Sequence, residues 1–221
     1  MQAIRTTARL AALVLALAAM AGCAQIEPAT RAANEATALD EIVVDGSAPV
    51  AAPEWKVSAV RVAVPRTLHV SEANLYYPIA DIVWRGEARG DRYAQVSAIF
   101  TEAAGRATAE MTEGRPVVVD IEVIRFHALT EKTRYTFGGT YGVKFALTVR
   151  DAETGAILEG PRVIDHGFPA SGGQKAIDEE SRGLTEKVVI TQFLADYLHD
   201  LLTAPAPAPE PAAPDRLSLA E

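Results

Sequence analysis

The sequence predicts an α+β domain with a single, mostly antiparallel sheet of about four to five strands and two helices on one face. The central segment 55–203 has a usual size for one domain, while segments 23–54 and 204–221 are too poor in large apolar residues to bury a core. Within this segment the hydrophobic period changes in the order strand, helix, three strands, helix. Such an order favours helices packed against one antiparallel sheet.

The first strand and the first helix follow from the spacing of their apolar residues. Alternation runs from Lys56 until Pro65 ends it, which is the pattern of a half-buried strand. Asp91 is a candidate N-cap, and the helix after it is predicted from apolar residues at helical spacing: Val96, Ile99, Phe100, Ala103, Ala107 and Met111. The outer face of this helix carries potential ion-pair partners four residues apart: Glu102, Arg106 and Glu110.

Three strands are predicted after this helix. The first places one set of residues on one face, Val117, Val119, Ile121 and Val123, and another set on the other face, Val118, Asp120, Glu122, Ile124 and Phe126. The second lies within 134–151 and points a further set inward: Val143, Phe145, Leu147 and Val149. The turn DAETG at 151–155 then leads into 156–164, so these two strands are predicted to form a hairpin.

A second helix is predicted after Gly172 and Gly173. Its shared apolar face is made of six residues: Leu184, Val188, Thr191, Leu194, Leu198 and Leu201. Gly183 lies near the start of this pattern and can divide the helix into two pieces.

Residues 1–22 are predicted to be a lipoprotein signal peptide. Arg5 and Arg9 precede the apolar stretch 10–22, which at about 20 Å is too short for the roughly 30 Å core of a bilayer. The small residues before Cys23 resemble the lipobox of bacterial lipoproteins. This resemblance implies cleavage before Cys23, acylation of that residue and, with Ala24 behind it, sorting to the outer membrane. An ordinary secretory signal that leaves Cys23 as a free thiol is the alternative.

The two remaining terminal segments and the net charge restrict the location and the partners of the protein. Segment 23–54 is predicted to be a lipidated N-terminus and flexible tether, and segment 204–221 a Pro/Ala-rich disordered tail. The chain has a net charge of −8, whereas proteins that bind nucleic acids usually carry a basic surface. No nucleic acid is therefore expected as a partner. The predicted location is the cell envelope, on the periplasmic face of the outer membrane.

No catalytic, cofactor or metal motif is present in the sequence. G-x-S-x-G, H-E-x-x-H and P-loop patterns are absent, and four histidines are scattered without ligand spacing: His69, His127, His166 and His199. We expect no enzyme, no cofactor and no metal site. Asp120 and Glu122 lie about 7 Å apart on one strand face, a separation that suits glycoside hydrolysis. Pairing with a basic residue of the neighbouring strand, Lys144 or Arg150, is the favoured interpretation.

Four candidate partner-binding residues lie in the long connection 66–90: Tyr76, Tyr77, Trp84 and Arg85. A connection of this length is usually functional or contains hidden structure. Tyr and Trp are enriched at interface hot spots, so the segment is a candidate docking surface. The alternative is that it folds as an extra short strand and buries Trp84. The polar run 129–134 is a second exposed candidate, interpreted as a solvated loop.

Two resemblances concern the folded segment. The stretches YPIADIVWRG at 77–86, RFHALTEKTRY at 125–135 and VRDA at 149–152 look like an uncharacterised family of small alphaproteobacterial lipoproteins, which brings no known activity. The element order, with a D-x-x-T-G hairpin turn at 151–155, is loosely similar to envelope lipoprotein domains related to the TolB N-terminal and curli-secretion-channel lipoproteins. That wider group implies a partner or assembly factor and not a catalyst.

The leading functional hypothesis is a membrane-tethered, non-catalytic module that binds a protein of the envelope, with a homo-oligomer left open. The alternative is an accessory lipoprotein of a transport system, which would hold a lipid or another apolar ligand in a groove between sheet and helices. A flat aromatic patch favours the first hypothesis, and a continuous apolar cavity favours the second.

Overall fold

Ten helices and strands lie within residues 53–205, the part of the chain that the computed structural model describes. The strands are β1 (Trp55–Ala63), β2 (Val70–Ser71), β3 (Ile82–Val83), β4 (Arg115–His127), β5 (Gly139–Asp151) and β6 (Ile157–Ala170). The helices are α1 (Arg92–Ala107), α2 (Glu131–Arg134), α3 (Gly173–Ser181) and α4 (Glu186–Thr203). The predicted signal peptide, Cys23 and nearly all of the two predicted tails lie outside the described residues.

The six strands form one mixed sheet. Its order is β2-β3-β4-β5-β6, and β1 also pairs with β4. The pairings of β4 with β1 and β3, and of β2 with β3, are parallel, whereas β4-β5 and β5-β6 are antiparallel. The predicted α+β class is therefore confirmed, and the mostly antiparallel sheet of four to five strands is replaced by a mixed sheet of six.

Helix α1 explains why the first pairing is parallel. It lies between β3 and β4 in the chain and forms part of the crossover after which β4 runs parallel to β1 and β3. The two further parallel strands, β2 and β3, have two residues each, which is too short for an alternating pattern to show in the sequence. They lie in the connection 66–90. The alternative interpretation of this segment, an extra short strand, is therefore present there.

A bulge in β4 changes which side chains face the core. Val117, Val119, Ile121 and Val123 are buried as predicted, but the register with β5 shifts between Val123 and Arg125. Phe126 was predicted on the opposite face, and the shift instead places it among the buried side chains.

The core lies between the sheet and two helices, α1 and α4, which also contact each other. It combines buried side chains from both helices and from the inner faces of β4 and β5: Val96, Ile99, Phe100, Ile190, Leu194, Leu198, Val119, Ile121, Phe145 and Leu147. These side chains pack between the sheet and the helices, which is where the alternative hypothesis places an apolar ligand. Among residues 53–205, no helix combines the length and the apolar character needed to cross a membrane.

The helix ends follow local signals. The Asp91 side chain caps α1 by accepting from the Ala94 amide at 3.1 Å, as predicted. The helix ends at Ala107, and the predicted helical residue Met111 lies in the following turn, where its carbonyl accepts from the Val57 amide. Gly183, with a φ of 83°, separates α3 from α4. Leu184 therefore precedes α4 and is exposed, which corrects its predicted place on the apolar face.

Candidate functional site

Trp84 belongs to the core. Its side chain is fully buried, its ring meets Phe126 edge-on at 5.8 Å between centroids, and its indole N–H donates to Glu87 at 3.0 Å. A buried indole with a satisfied N–H offers no surface to a partner. Of the two interpretations that the sequence left open for Trp84, the structure shows burial.

Arg85 fastens the connection 66–90 to α2. Its guanidinium forms a bidentate pair with Glu131, and its Nη1 donates to the carbonyl of Glu72 at 2.6 Å. The Glu72 carboxylate in turn accepts two hydrogen bonds from Arg92, at 2.7 and 3.1 Å. Hydrogen bonds from Arg85 lower the pKa of Glu131, and those from Arg92 lower the pKa of Glu72, so both acids stay ionised partners.

Tyr76 and Tyr77 lie at the surface with further apolar residues. Tyr77 is 83% exposed and Phe137 is 62% exposed, and the rings of Tyr76 and Phe137 stack with centroids 5.2 Å apart. Lys132 lies 4.4 Å above the Tyr76 ring. We call the exposed set the aromatic patch, and its members are Leu75, Tyr76, Tyr77, Tyr135 and Phe137.

Hydrogen bonds hold the two halves of the aromatic patch together. The Thr130 hydroxyl donates to the carbonyl of Leu75 at 2.8 Å, and the Lys132 amide donates to the Asn74 side chain at 2.8 Å. The Thr133 hydroxyl donates to the Tyr76 carbonyl at 3.4 Å. The patch is therefore built on a fixed backbone and includes residues from two distant parts of the sequence.

The sequence interpretation missed Tyr135 and Phe137. The run 129–134 was interpreted as a solvated loop, but it contains α2, whose N-cap Thr130 accepts from the Thr133 amide. Thr133 and Arg134 are buried: Thr133 bonds to the Tyr76 carbonyl in the connection 66–90, and Arg134 bonds to Tyr141 of β5. The signal in the sequence was a Thr followed by Glu131 in a first helical turn. Phe137 lies only three positions after Arg134.

A buried polar cluster joins α2, β5 and α4. The Arg134 side chain is 6% exposed, and its Nη1 donates to the Tyr141 hydroxyl at 3.1 Å. The Glu186 carboxylate accepts from the Leu129 amide at 3.0 Å. Burial raises the pKa of Glu186 to about 7, and burial also raises the pKa of Tyr141. A cavity of about 170 Å³ lies beside Arg134 and Glu186.

Asp120 and Glu122 lie on the outer face of the sheet, where they line a hollow of about 450 Å³. Arg61 donates to Asp120 at 2.6 Å and Arg150 does so at 2.8 Å, which confirms the predicted pairing with a basic residue of the neighbouring strand. Burial alone would raise the pKa of Asp120, but the hydrogen bonds from the two arginines outweigh it and leave the pKa lowered. Asp120 is thus an ionised acid that is paired with two arginines.

Between positions 53 and 205, no group of three or more His, Cys, Asp or Glu side chains is arranged to hold an ion. His127 bonds to the Ala80 carbonyl and His199 to the Ala107 carbonyl, so both have structural partners.

Comparison with solved structures returns proteins of low identity. Protein XCC0632 from Xanthomonas campestris, of the family DUF330, is 11% identical with a TM-score of 0.43, over 69% of this chain and 86% of that chain. The PelC dodecamer from Paraburkholderia phytofirmans is 16% identical with a TM-score of 0.31, over 71% and 93%. A lipoprotein candidate from Caulobacter crescentus CB15 is 15% identical with a TM-score of 0.28, over 48% and 80%. These similarities are too low to support a functional argument.

Comparison with family models identifies the chain itself. No curated protein matches it. A model described as a family of unknown function, DUF6778, matches residues 55–216, which include all ten helices and strands within the described part of the chain. The expectation of an uncharacterised family is thereby confirmed. Because the match covers most of the sequence, the chain belongs to the DUF6778 family.

Proposed function

We propose that the chain is a lipid-anchored envelope protein whose folded domain docks a protein partner and catalyses no reaction. The observation that carries the proposal is the aromatic patch. Five large apolar side chains are exposed there on two segments that hydrogen bonds hold together. Exposed aromatic residues on a fixed backbone are typical of the centre of a protein interface.

The support beneath the aromatic patch favours docking of a preformed surface. Arg85, Glu131 and Glu72 link the connection 66–90 to α2 through charge-assisted hydrogen bonds. A backbone that is already ordered loses little conformational freedom on binding, so more of the contact energy remains as affinity. In this proposal Tyr77 and Phe137 contact apolar side chains of the partner, and Arg85 positions the loop without contacting the partner.

Membrane anchoring rests on the sequence of the N-terminus. The stretch 10–22 and the small residues before Cys23 have the pattern of a lipoprotein signal and cleavage site. Acyl chains on Cys23 would confine the domain to one membrane surface, on the periplasmic side of the outer membrane. Confinement raises the local concentration of domain and partner, so a modest affinity of the patch suffices.

Site-specific photocrosslinking in cells tests the docking surface. A photoreactive phenylalanine analogue is placed at Tyr77 in one strain and at Phe137 in another. A matched control places it at Val163, which is also exposed but lies on β6, outside the patch. We expect the same protein adduct from both patch positions and no such adduct from the control.

A second arm asks whether the patch residues contribute to binding. The double variant Tyr77→Ala, Phe137→Ala and the protein found in the adduct are purified separately, and the affinity between them is measured. Circular dichroism and thermal unfolding check that the variant is folded. We expect a folded variant whose affinity falls at least tenfold, the loss typical of interface aromatics. Adducts that are equal at Val163 and at the patch, or an unchanged affinity, would contradict the proposal.

A further inference from the structure

A small cavity lies where the first turn of α4 meets α2. Glu186 and Lys187, the first residues of α4, line it together with Arg134 of α2. The amide N–H groups of a first helical turn have no acceptor within the helix, and they carry the positive end of the helix dipole. At about 170 Å³, the cavity is large enough for a small polar group.

Arg134 provides a second, independent observation. Its side chain is 94% buried, and Nη1 bonds to Tyr141, but Nη2 is buried without a hydrogen-bond partner among the described residues. The Glu180 carboxylate lies 3.8 Å from the Arg134 Nε, which is beyond hydrogen-bond distance. A buried guanidinium donor without an acceptor is costly, so this site lacks one acceptor group.

The other cations at the cavity already have acids. Arg85 is paired with Glu131, and Lys187 donates to Glu87 at 2.8 Å. The remaining charged and titratable groups that face Glu186 come from α2, α3 and β5, and they are Glu131, Arg134, Tyr135, Glu180 and Tyr141. One donor is therefore free in a site that already contains acids, which favours a singly charged acceptor over a phosphate dianion.

Glu186 would repel such an anion when it is ionised. Its carboxyl group is buried, and that burial brings its pKa to about 7. A protonated Glu186 carries no charge, and one of its oxygens can still accept the hydrogen bond from the Leu129 amide. Binding of an anion beside it would therefore be linked to uptake of one proton.

We propose that this cavity binds one carboxylate group, held by Arg134 Nη2 and by the amides of Glu186 and Lys187 in the first turn of α4. The carboxylate belongs either to a free small acid or to the C-terminus of a protein, since both present the same group. Backbone and arginine donors are used for terminal carboxylates elsewhere. This inference does not depend on the aromatic patch.

Titration followed by NMR on the processed chain in detergent tests the site. The probes are acetate, a short peptide with a free C-terminus and the same peptide as its amide, each at pH 5.5 and pH 8. We expect saturable shifts of the Leu129 and Lys187 amides with the carboxylates and none with the amide. Affinity should be about tenfold weaker at pH 8, because Glu186 must then take up a proton.

Two variants separate binding from folding. Glu186→Gln keeps an acceptor for Leu129 and removes the charge, so carboxylate affinity should be equal at both pH values and no weaker than that of the parent at pH 5.5. Arg134→Met should lose binding, and its amide spectrum reports whether it remains folded. The pH dependence of binding to Glu186→Gln is measured with Arg134 intact. The proposal therefore stays testable even if Arg134→Met unfolds.

Each outcome decides the question. Acetate that binds as well as the peptide identifies a site for a free acid, and a peptide that binds far more tightly identifies a protein C-terminus. The absence of saturable shifts with every carboxylate would mean that water fills the cavity, and the proposal would be wrong. Equal affinity of the parent at pH 5.5 and pH 8 would overturn the linkage to Glu186.

Discussion

Glu186 is an ionisable residue whose burial has a consequence for stability. Its pKa is raised from 4.5 to about 7 in the folded chain, so the folded state holds this proton more tightly than the unfolded state does. The stabilising effect is therefore fully present below about pH 4.5 and is lost as pH rises through about 7. Above that pH, an ionised carboxylate remains buried beside Arg134 and Tyr141.

Replacement of this acid should remove that pH dependence. We expect Glu186→Gln to be more stable than the parent at pH 8, and the advantage to shrink by about 2–3 kcal/mol at pH 5. The measurement is urea unfolding of both proteins at the two pH values. An advantage that is the same at pH 5 and pH 8 would show that Glu186 does not titrate between them.

Residue types in the sequence predicted some roles and not others. The pairing of Asp120 with Arg150 could be predicted, because cross-strand neighbours follow from strand register. The bidentate pair of Arg85 with Glu131 could not, since it joins residues 46 positions apart that only the folded chain brings together. For the same reason Tyr76 was a candidate and its stacking partner Phe137 was not.

At the scale of elements, strong periodicity predicted α1, β4 and the β5-β6 hairpin. Local irregularities prevented the prediction of the other strands and of some buried residues. The bulge after Val123 moved Phe126 into the core, and no alternating pattern can signal a one-residue shift in advance. The strands β2 and β3 depend on pairing with each other and with β4, so their conformation is set by tertiary contacts.

The N-cap of α4 provides a test at this scale. The Thr185 hydroxyl accepts from the Val188 amide at 3.4 Å, at the start of a helix that contributes Ile190, Leu194 and Leu198 to the core. Thr185→Ala should destabilise the domain by about 1 kcal/mol, because a helix N–H loses its acceptor. Urea unfolding measures the change, and Thr185→Ser is the control that keeps the hydroxyl. Equal losses in both variants would show that the cap is not the cause.

Two glycines should respond in opposite directions to the same substitution. A Cβ at Gly86 would lie 2.3 Å from the Trp84 ring, whereas a Cβ at Gly105 in α1 meets nothing within 4 Å. Gly86→Ala should cost roughly 1–3 kcal/mol, because the buried indole must shift. Gly105→Ala should stabilise by about 0.5–1 kcal/mol through helix propensity. Thermal unfolding of both variants measures the contrast, and a Gly86→Ala protein as stable as the parent would contradict it.

For the whole molecule, composition and length predicted the domain better than its topology. The order of elements was consistent with an antiparallel sheet, yet α1 belongs to a crossover after which β4 runs parallel to β1. Strand order is a property of long-range pairing, and two of the parallel ladders involve strands of two residues. The aromatic patch likewise exists only after residues 75–77 and 135–137 meet.

Anchoring through Cys23 is a prediction about the whole molecule, because it decides where the folded domain operates. Cys23→Ser removes the sulfur that would carry the acyl chains, while the apolar stretch 10–22 and the folded domain are unchanged. We expect the parent to be labelled by an alkyne palmitate analogue and to sediment with outer membranes, and the variant to lose the label and the processed form. The variant Met20→Leu, which brings the sequence closer to the usual lipobox, should be labelled at least as well as the parent. A Cys23→Ser protein that is still labelled would place the anchor at another residue. A parent without label would mean that no acyl anchor is present and that docking by the aromatic patch operates without confinement.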